Sequence, residues 1–125
     1  MLGDLYIRCA ELQSFDDFSK RVFALLNVKI KETRYSANAA GGRYVYGEVL
    51  GLEVILEEAD SMDFEDYHFL ITFHPKKDWA TIDRHCLDGL ADIVAKYLAQ
   101  NGMKIARPLD SARAGTPSVL YGHGV

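Results

Sequence analysis

The sequence has 125 residues, of which 49% are hydrophobic and 26% charged, with a formal net charge of −4 at neutral pH. These values are typical of one globular domain with a single core, and they exclude a chain too small to fold without disulfides or a structural metal. Cys9 and Cys86 are too few for a disulfide framework, so we expect reduced, buried thiols.

No targeting segment is evident in the sequence. Residues 1–4 lack a basic segment followed by an apolar run of signal-peptide length, and no stretch of about 18 apolar residues occurs. We therefore expect a cytoplasmic protein with no membrane partner.

The first predicted elements are a short strand and a helix. Residues 5–9 are rich in β-prone types and favour a strand, although a helical turn is an alternative. Ser14 is a typical N-cap for a helix over residues 15–26. Phe15, Phe18 and Val22 recur at helical spacing in this segment, which predicts one face packed on the core.

Between residues 28 and 73 the hydrophobic period changes from helical spacing to two. This alternation predicts a four-stranded antiparallel meander, with strands at residues 28–35, 43–49, 52–58 and 67–73. In the third strand, Glu53 and Glu57 alternate with apolar residues. We therefore expect this sheet to bury one face and to expose the other.

A second helix is predicted from about residues 79–82 to residue 100, followed by a short strand at residues 103–106. Its broad apolar stripe, which includes Cys86, Ile93 and Tyr97, suits packing across the buried sheet face. Residues 108–125 are rich in Gly, Ser, Ala and Pro, which is typical of a loosely ordered tail or of a segment that orders against a partner. The predicted fold is α+β, with an antiparallel β-meander of four to six strands and two helices packed on one face. Residues 1–107 form its single domain.

The charge distribution is the most distinctive feature of the sequence. Between Gly51 and Pro75 there is no Lys or Arg, but there are seven acidic residues: Glu53, Glu57, Glu58, Asp60, Asp63, Glu65 and Asp66. We predict that they produce a focused negative potential, which repels nucleic acid and attracts basic proteins or cations. The alternative is a solvated hairpin whose charge serves solubility.

No metal or cofactor site is predicted. The acidic spacing does not match an EF-hand loop. His68, His74 and His85 are the best candidates for an enzyme, but His68 and His74 lie roughly 20 Å apart along an extended strand, too far to share a proton or a metal. The sequence contains no catalytic motif, so we predict a protein that is not an enzyme, with a small histidine enzyme as the alternative.

Two aromatic residues add a candidate binding surface. Tyr44 and Tyr46 share one face of the second meander strand, and tyrosine is frequent in interface hot spots. Cross-strand packing is the alternative role for such a pair. A nucleic-acid platform would need an adjacent basic patch, and Arg43 is the only cation in this strand.

The stretch GGRYVYGEVLGLEVILEEADSMDFEDYHFLITF resembles small bacterial immunity proteins of contact-dependent and other polymorphic toxin systems. The resemblance rests on Tyr44, Gly47, Gly51, the acidic run and the pair Asp66-Tyr67. It implies a small cytoplasmic protein that binds one cognate toxin domain and blocks its active site or substrate access. The alternative hypotheses are the histidine enzyme and a structural module that forms homodimers through an exposed strand edge.

Overall fold

The computed structural model describes residues 4–9, 11, 13–49, 51–60, 64–75, 84–109 and 115–122. The helices and strands of these ranges are, in chain order, β1 (Asp4–Cys9), α1 (Phe15–Leu25), β2 (Ile30–Tyr35), β3 (Arg43–Val49), β4 (Leu52–Glu58), β5 (Phe69–Pro75), α2 (Arg84–Gln100), β6 (Met103–Pro108) and β7 (Ser118–Tyr121). A short 3-10 turn at Ala40–Gly42 leads into β3.

All seven strands form one antiparallel sheet, in the order β2-β3-β4-β5-β1-β6-β7. The predicted α+β class is confirmed. The predicted count of four to six strands was too low, because the strand nearest the N-terminus pairs between β5 and β6 and a seventh strand follows β6. The meander of β2 to β5 therefore makes up one half of a wider sheet.

Helix α1 forms where the sequence predicts it. The Ser14 side chain accepts a hydrogen bond of 3.1 Å from the backbone N–H of Asp17, which satisfies one of the free donors at the helix start. Phe15, Phe18 and Val22 are buried along one face. The Phe18 ring stacks on Phe69 of β5 with 3.8 Å between the ring centroids, so this face of α1 packs on the sheet.

The hydrophobic core lies on one side of the sheet. Alternate residues of the central strands point into it, among them Leu5 and Ile7 of β1 and Val54 and Leu56 of β4. Residues of α1 and α2 join the same cluster, which confirms that the two helices pack on one face. We name the opposite side of the sheet the open face.

Two strand boundaries in the meander differ from the prediction. Strand β2 begins at Ile30 and not at residue 28. Val28 instead packs against Gly47 of β3, so closely that a Cβ added to Gly47 would lie 2.8 Å from Cγ1 of Val28. Strand β5 begins at Phe69 and not at residue 67, because a turn precedes it in which the Tyr67 N–H donates to the carbonyl of Phe64 at 3.0 Å.

Helix α2 buries a narrower stripe than predicted. It lies over β6, with further contacts to β1 and β7, and residues such as Ala91 and Leu98 are fully buried there. Ile93 is 66% exposed and Tyr97 is also exposed, because they lie outside this contact. The predicted helix start at residues 79–82 lies outside the described residues.

The two cysteines are free thiols, and only one of them is buried. Burial raises the pKa of the Cys9 thiol. The prediction of a buried thiol is wrong for Cys86, which lies on the exposed side of α2.

The predicted boundary at residue 107 falls inside the sheet. Strand β6 extends to Pro108, and residues Ser118–Tyr121 form β7 along its free edge. Tyr121 is buried, so this part of the predicted tail is ordered on the domain. Residues 110–114 and 123–125 lie outside the described residues. No helix within the described ranges is long and apolar enough to cross a membrane.

Candidate functional site

The open face carries the polar and aromatic positions of the alternating strands. Residues that pair directly across antiparallel strands project to the same side, so the register defines rows of neighbours. One row runs from Tyr44 through Glu57 and Leu70 to Tyr6. The next row runs in the same way through four residues: Tyr46, Ile55, Thr72 and Asp4.

Two chain connections border these rows. The β2–β3 connection turns back on itself through a hydrogen bond of 3.0 Å from the Ser36 N–H to the Gly42 carbonyl. In the β4–β5 connection, the Phe64 ring stacks on Tyr6 of the open face at 4.3 Å and meets the edge of Tyr67 at 5.9 Å. The turn that follows Phe64 is thereby held against the sheet.

A cavity of about 300 Å³, which we name the sheet-face cavity, lies between the β2–β3 connection and the open face. Its walls combine carboxylates, hydroxyl groups, an imidazole and an apolar surface. The lining residues are Asp4, Ser36, Asn38, Ala39, Tyr44, Ile55, Glu57, Leu70, Thr72 and His74. An apolar surface with a few converging polar groups is the usual construction of a ligand site.

Two acidic residues of this cavity influence each other. Burial raises the pKa of the Glu57 carboxyl above its ordinary value, and the nearby negative charge of Asp4 raises it further. Asp4 is only 7% exposed. A cation bound beside Glu57 would favour its ionised form.

Two more cavities extend the acidic region. One of about 300 Å³ adjoins the sheet-face cavity, shares Asn38, Glu57 and Leu70 with it, and adds Glu58 and Asp60. Another of about 510 Å³ lies between the start of α1 and the β4–β5 connection, and it contains Glu58, Asp60, Glu65 and His68. The acidic residues thus border a series of depressions at this end of β4.

The structure brings most of the predicted acidic residues to one end of the sheet, but not to one flat surface. Glu57 lies on the open face, and Glu53 lies on the same face farther along β4, opposite His74. Glu58 points to the other side, where its carboxylate occupies the position that a Cβ on Gly41 would take. Asp60, Glu65 and Asp66 belong to the β4–β5 connection, and Asp63 lies outside the described residues.

These carboxylates differ from five others in their ion pairing. Within the described part of the chain, no salt bridge includes Glu53, Glu57, Glu58, Asp60, Glu65 or Asp66. Five carboxylates elsewhere do form ion pairs: Asp16, Glu32, Glu48, Asp88 and Asp92. The negative charge at this end of the sheet is therefore not neutralised by the described cations.

The two tyrosines predicted as partner contacts have different environments. Tyr44 lines the sheet-face cavity. Tyr46 is only 7% exposed, and the guanidinium of Arg34 lies over its ring at 4.4 Å. Its hydroxyl donates a hydrogen bond to Glu48, which raises the pKa of Tyr46 to about 12. Tyr46 thus has a packing role, and Tyr44 is the more accessible of the two.

The histidines do not form a shared site. His74 lines the sheet-face cavity, and His68 precedes β5 and lines the larger cavity on the other side. The side chain of His85 lies outside the described residues. In the described ranges, no three His, Cys, Asp or Glu side chains are arranged to hold a metal ion.

Sequence reasoning missed two important residues of the site. Asp4 comes from the opposite end of the sequence and reaches the cavity only because β1 pairs with β5, with Asp4 opposite Thr72. Thr72 is an ordinary strand residue in the sequence. Neither has a local pattern that would mark it, because long-range strand pairing places both.

No protein-family model, curated protein or solved structure matches the chain.

Proposed function

We propose that the protein is a cytoplasmic inhibitor of the immunity type, which binds a basic toxin domain through the acidic residues of β4 and of the adjoining β4–β5 connection. One observation carries the proposal. Glu53, Glu57, Glu58, Asp60, Glu65 and Asp66 form no salt bridge within the described residues, whereas Asp16, Glu32 and Asp88 do.

The energetics of charge favour an external cationic partner. A group of like charges at one end of a domain destabilises the folded state by self-repulsion, and a basic partner removes that cost on binding. Complementary charge also accelerates encounter and discriminates against wrong partners. This region is therefore better suited to recognition than to holding the fold together.

The type of partner follows from the sign of the charge. Proteins that act on nucleic acids carry Lys and Arg where they contact phosphates, and a row of carboxylates presents the same negative charge to them. A domain that covers such a surface denies it to the nucleic acid. The resemblance of residues 41–73 to immunity proteins supports the same proposal.

The proposal is tested with the product of the neighbouring upstream gene, which the proposal expects to contain the toxin domain. We expect the purified protein to bind that domain, to protect cells that express it, and to associate more slowly as salt is raised. A triple variant, Glu53→Gln, Glu57→Gln and Glu58→Gln, should associate about tenfold more slowly at low salt, since steering typically contributes that much or more. Stopped-flow fluorescence measures the rate.

A matched control separates local charge from net charge. The variant Glu11→Gln, Asp16→Asn and Asp17→Asn removes the same number of acidic residues near α1 and should keep most of the wild-type rate. If both variants slow association equally, the open face has no special role. If the domain does not bind at either salt concentration, the immunity function is wrong for this partner.

A further inference from the structure

The sheet-face cavity is lined by a polar side chain that has no hydrogen bond within the described residues. Thr72 is 7% exposed, and its hydroxyl forms no hydrogen bond with the described part of the chain. A hydroxyl oxygen can accept a hydrogen bond. A ligand in the cavity that carries an N–H group could therefore donate to Thr72.

The other polar groups of the cavity are also acceptors. Glu57 and Asp4 supply carboxylates on the strands either side of β5, and burial together with the negative charge of Asp4 raises the pKa of Glu57. Ile55 and Leu70 supply apolar surface between them. The cavity therefore suits a ligand that is positively charged, rich in N–H donors and partly apolar.

We propose that the sheet-face cavity receives the guanidinium group of one arginine side chain of the basic partner. Glu57 accepts its N–H groups, Thr72 accepts one more, and Ile55 and Leu70 contact its methylene stem. The assignment of the arginine to a toxin domain rests on the proposed function. The match between guanidinium and cavity rests only on the residues named.

Guanidinium suits this cavity better than other cations do. It presents five N–H donors in one plane, so it can contact acceptors on separate strands at the same time. It is also more weakly hydrated than an ammonium group, which lowers the cost of entering a half-buried site. Its planar face can stack on an aromatic ring, and Tyr44 lies in the cavity wall.

The test uses the isolated protein and a small probe, so that it does not depend on any toxin. Ethylguanidinium is titrated into labelled protein while amide shifts are followed by NMR, and ethylurea serves as the uncharged probe of the same shape. We expect ethylguanidinium to shift the amides of Glu57, Leu70 and Thr72 with millimolar affinity. Ethylurea should leave them unchanged.

Variants of nearly equal size identify the acceptors. Glu57→Gln should weaken ethylguanidinium binding about tenfold, the usual order for a charge-assisted hydrogen bond, and Thr72→Val should weaken it several-fold. Glu11→Gln, an exposed residue before α1 and outside the cavity, should bind as the wild type does. A preserved amide spectrum for each variant shows that the fold is intact.

Either of two outcomes overturns the inference. One is equal shifts with ethylurea, and the other is wild-type affinity in both Glu57→Gln and Thr72→Val. If the toxin domain binds but ethylguanidinium does not, the arginine site is wrong and the proposed function stands. If ethylguanidinium binds in the cavity but no basic domain does, the guanidinium site stands and the proposed function is wrong.

Discussion

Carboxylates have opposite surroundings in two regions of this sheet. Under α2, the Arg107 guanidinium donates to Asp88 and, through Nε, to the Tyr121 hydroxyl at 2.9 Å, and that hydroxyl donates to Asp92 at 2.6 Å. At the end of β4, in contrast, acidic side chains such as Glu57 have no salt bridge within the described ranges.

The pKa shifts express the same difference. The hydrogen bond from Tyr121, together with Lys96 and Arg107, lowers the pKa of Asp92. Burial and the charge of Asp4 raise the pKa of Glu57. The ionised form of Asp92 thus stabilises the fold in the Arg107 network, whereas the ionised form of Glu57 destabilises it on the open face. Carboxylates that are paired within the protein hold its elements together, and carboxylates without an internal ion pair can bind an external cation.

The largest expected effect is on the Arg107 network. The Arg107 side chain is 9% exposed, and its loss leaves Asp88 without its cation and the Tyr121 hydroxyl without its donor. Removing one partner of a fully buried pair costs about 3–5 kcal/mol, so Arg107→Met should cost about 2–3 kcal/mol because the carboxylates are partly exposed. Urea unfolding followed by circular dichroism measures it. Arg34→Met, at an exposed pair with Glu32, is the control and should shift the midpoint far less.

The next effect concerns the turn that carries Glu65 and Asp66. Phe64→Ala removes the ring that stacks on Tyr6 and meets Tyr67, and aromatic pairs of this kind contribute about 1 kcal/mol each beyond their buried area. We expect a loss of about 2 kcal/mol and faster hydrogen exchange at the Tyr67 amide. Amides between β6 and β7 should exchange as before. A uniform acceleration across the sheet would contradict a local role for Phe64.

The smallest expected effect is a gain in stability at Glu57. The pKa of Glu57 is raised in the folded state, so the fold favours the protonated carboxyl. This contribution to stability is fully present below the ordinary glutamate pKa of about 4.3, and it is lost as pH rises through the folded-state pKa. Glu57→Gln should therefore stabilise the protein at neutral pH by about 0.5 kcal/mol, the usual limit for surface substitutions.

The acid limit checks the origin of that gain. At a pH below the ordinary glutamate pKa, the wild type and Glu57→Gln should unfold at the same denaturant concentration. The ionisable groups that line the same cavity as Glu57 are Asp4 on β1, His74 on β5 and Tyr44 on β3. A gain that persists unchanged in acid would show that packing, and not charge, is its source.

Local patterns in the sequence predicted most elements of the fold. The bounds of β3 and β4 match those observed, because alternation along these strands follows directly from burial of one sheet face. The Ser14 cap and the Phe15, Phe18 and Val22 stripe placed α1 within one residue of its observed end. These features depend only on neighbouring residues.

Long-range pairing accounts for what the sequence did not predict. Nothing near Asp4 indicates that β1 pairs with β5 and β6, and this pairing brings Asp4 into the sheet-face cavity. Likewise, Ser118–Tyr121 lies in a Gly-rich and Pro-rich segment, and it forms β7 because Tyr121 is held by Arg107. The acidic run itself was evident, but its division between two faces required the strand register.

The position of β1 also has a consequence for how the chain folds during synthesis. This strand leaves the ribosome before its two neighbours, β5 and β6. Leu5 therefore cannot pair with Ile71 until β5 has been synthesised. Until then its apolar residues have no sheet to enter, and pairings between distant segments form slowly. We therefore expect the β2–β5 meander to assemble first, with β1 inserting only after β6 has emerged.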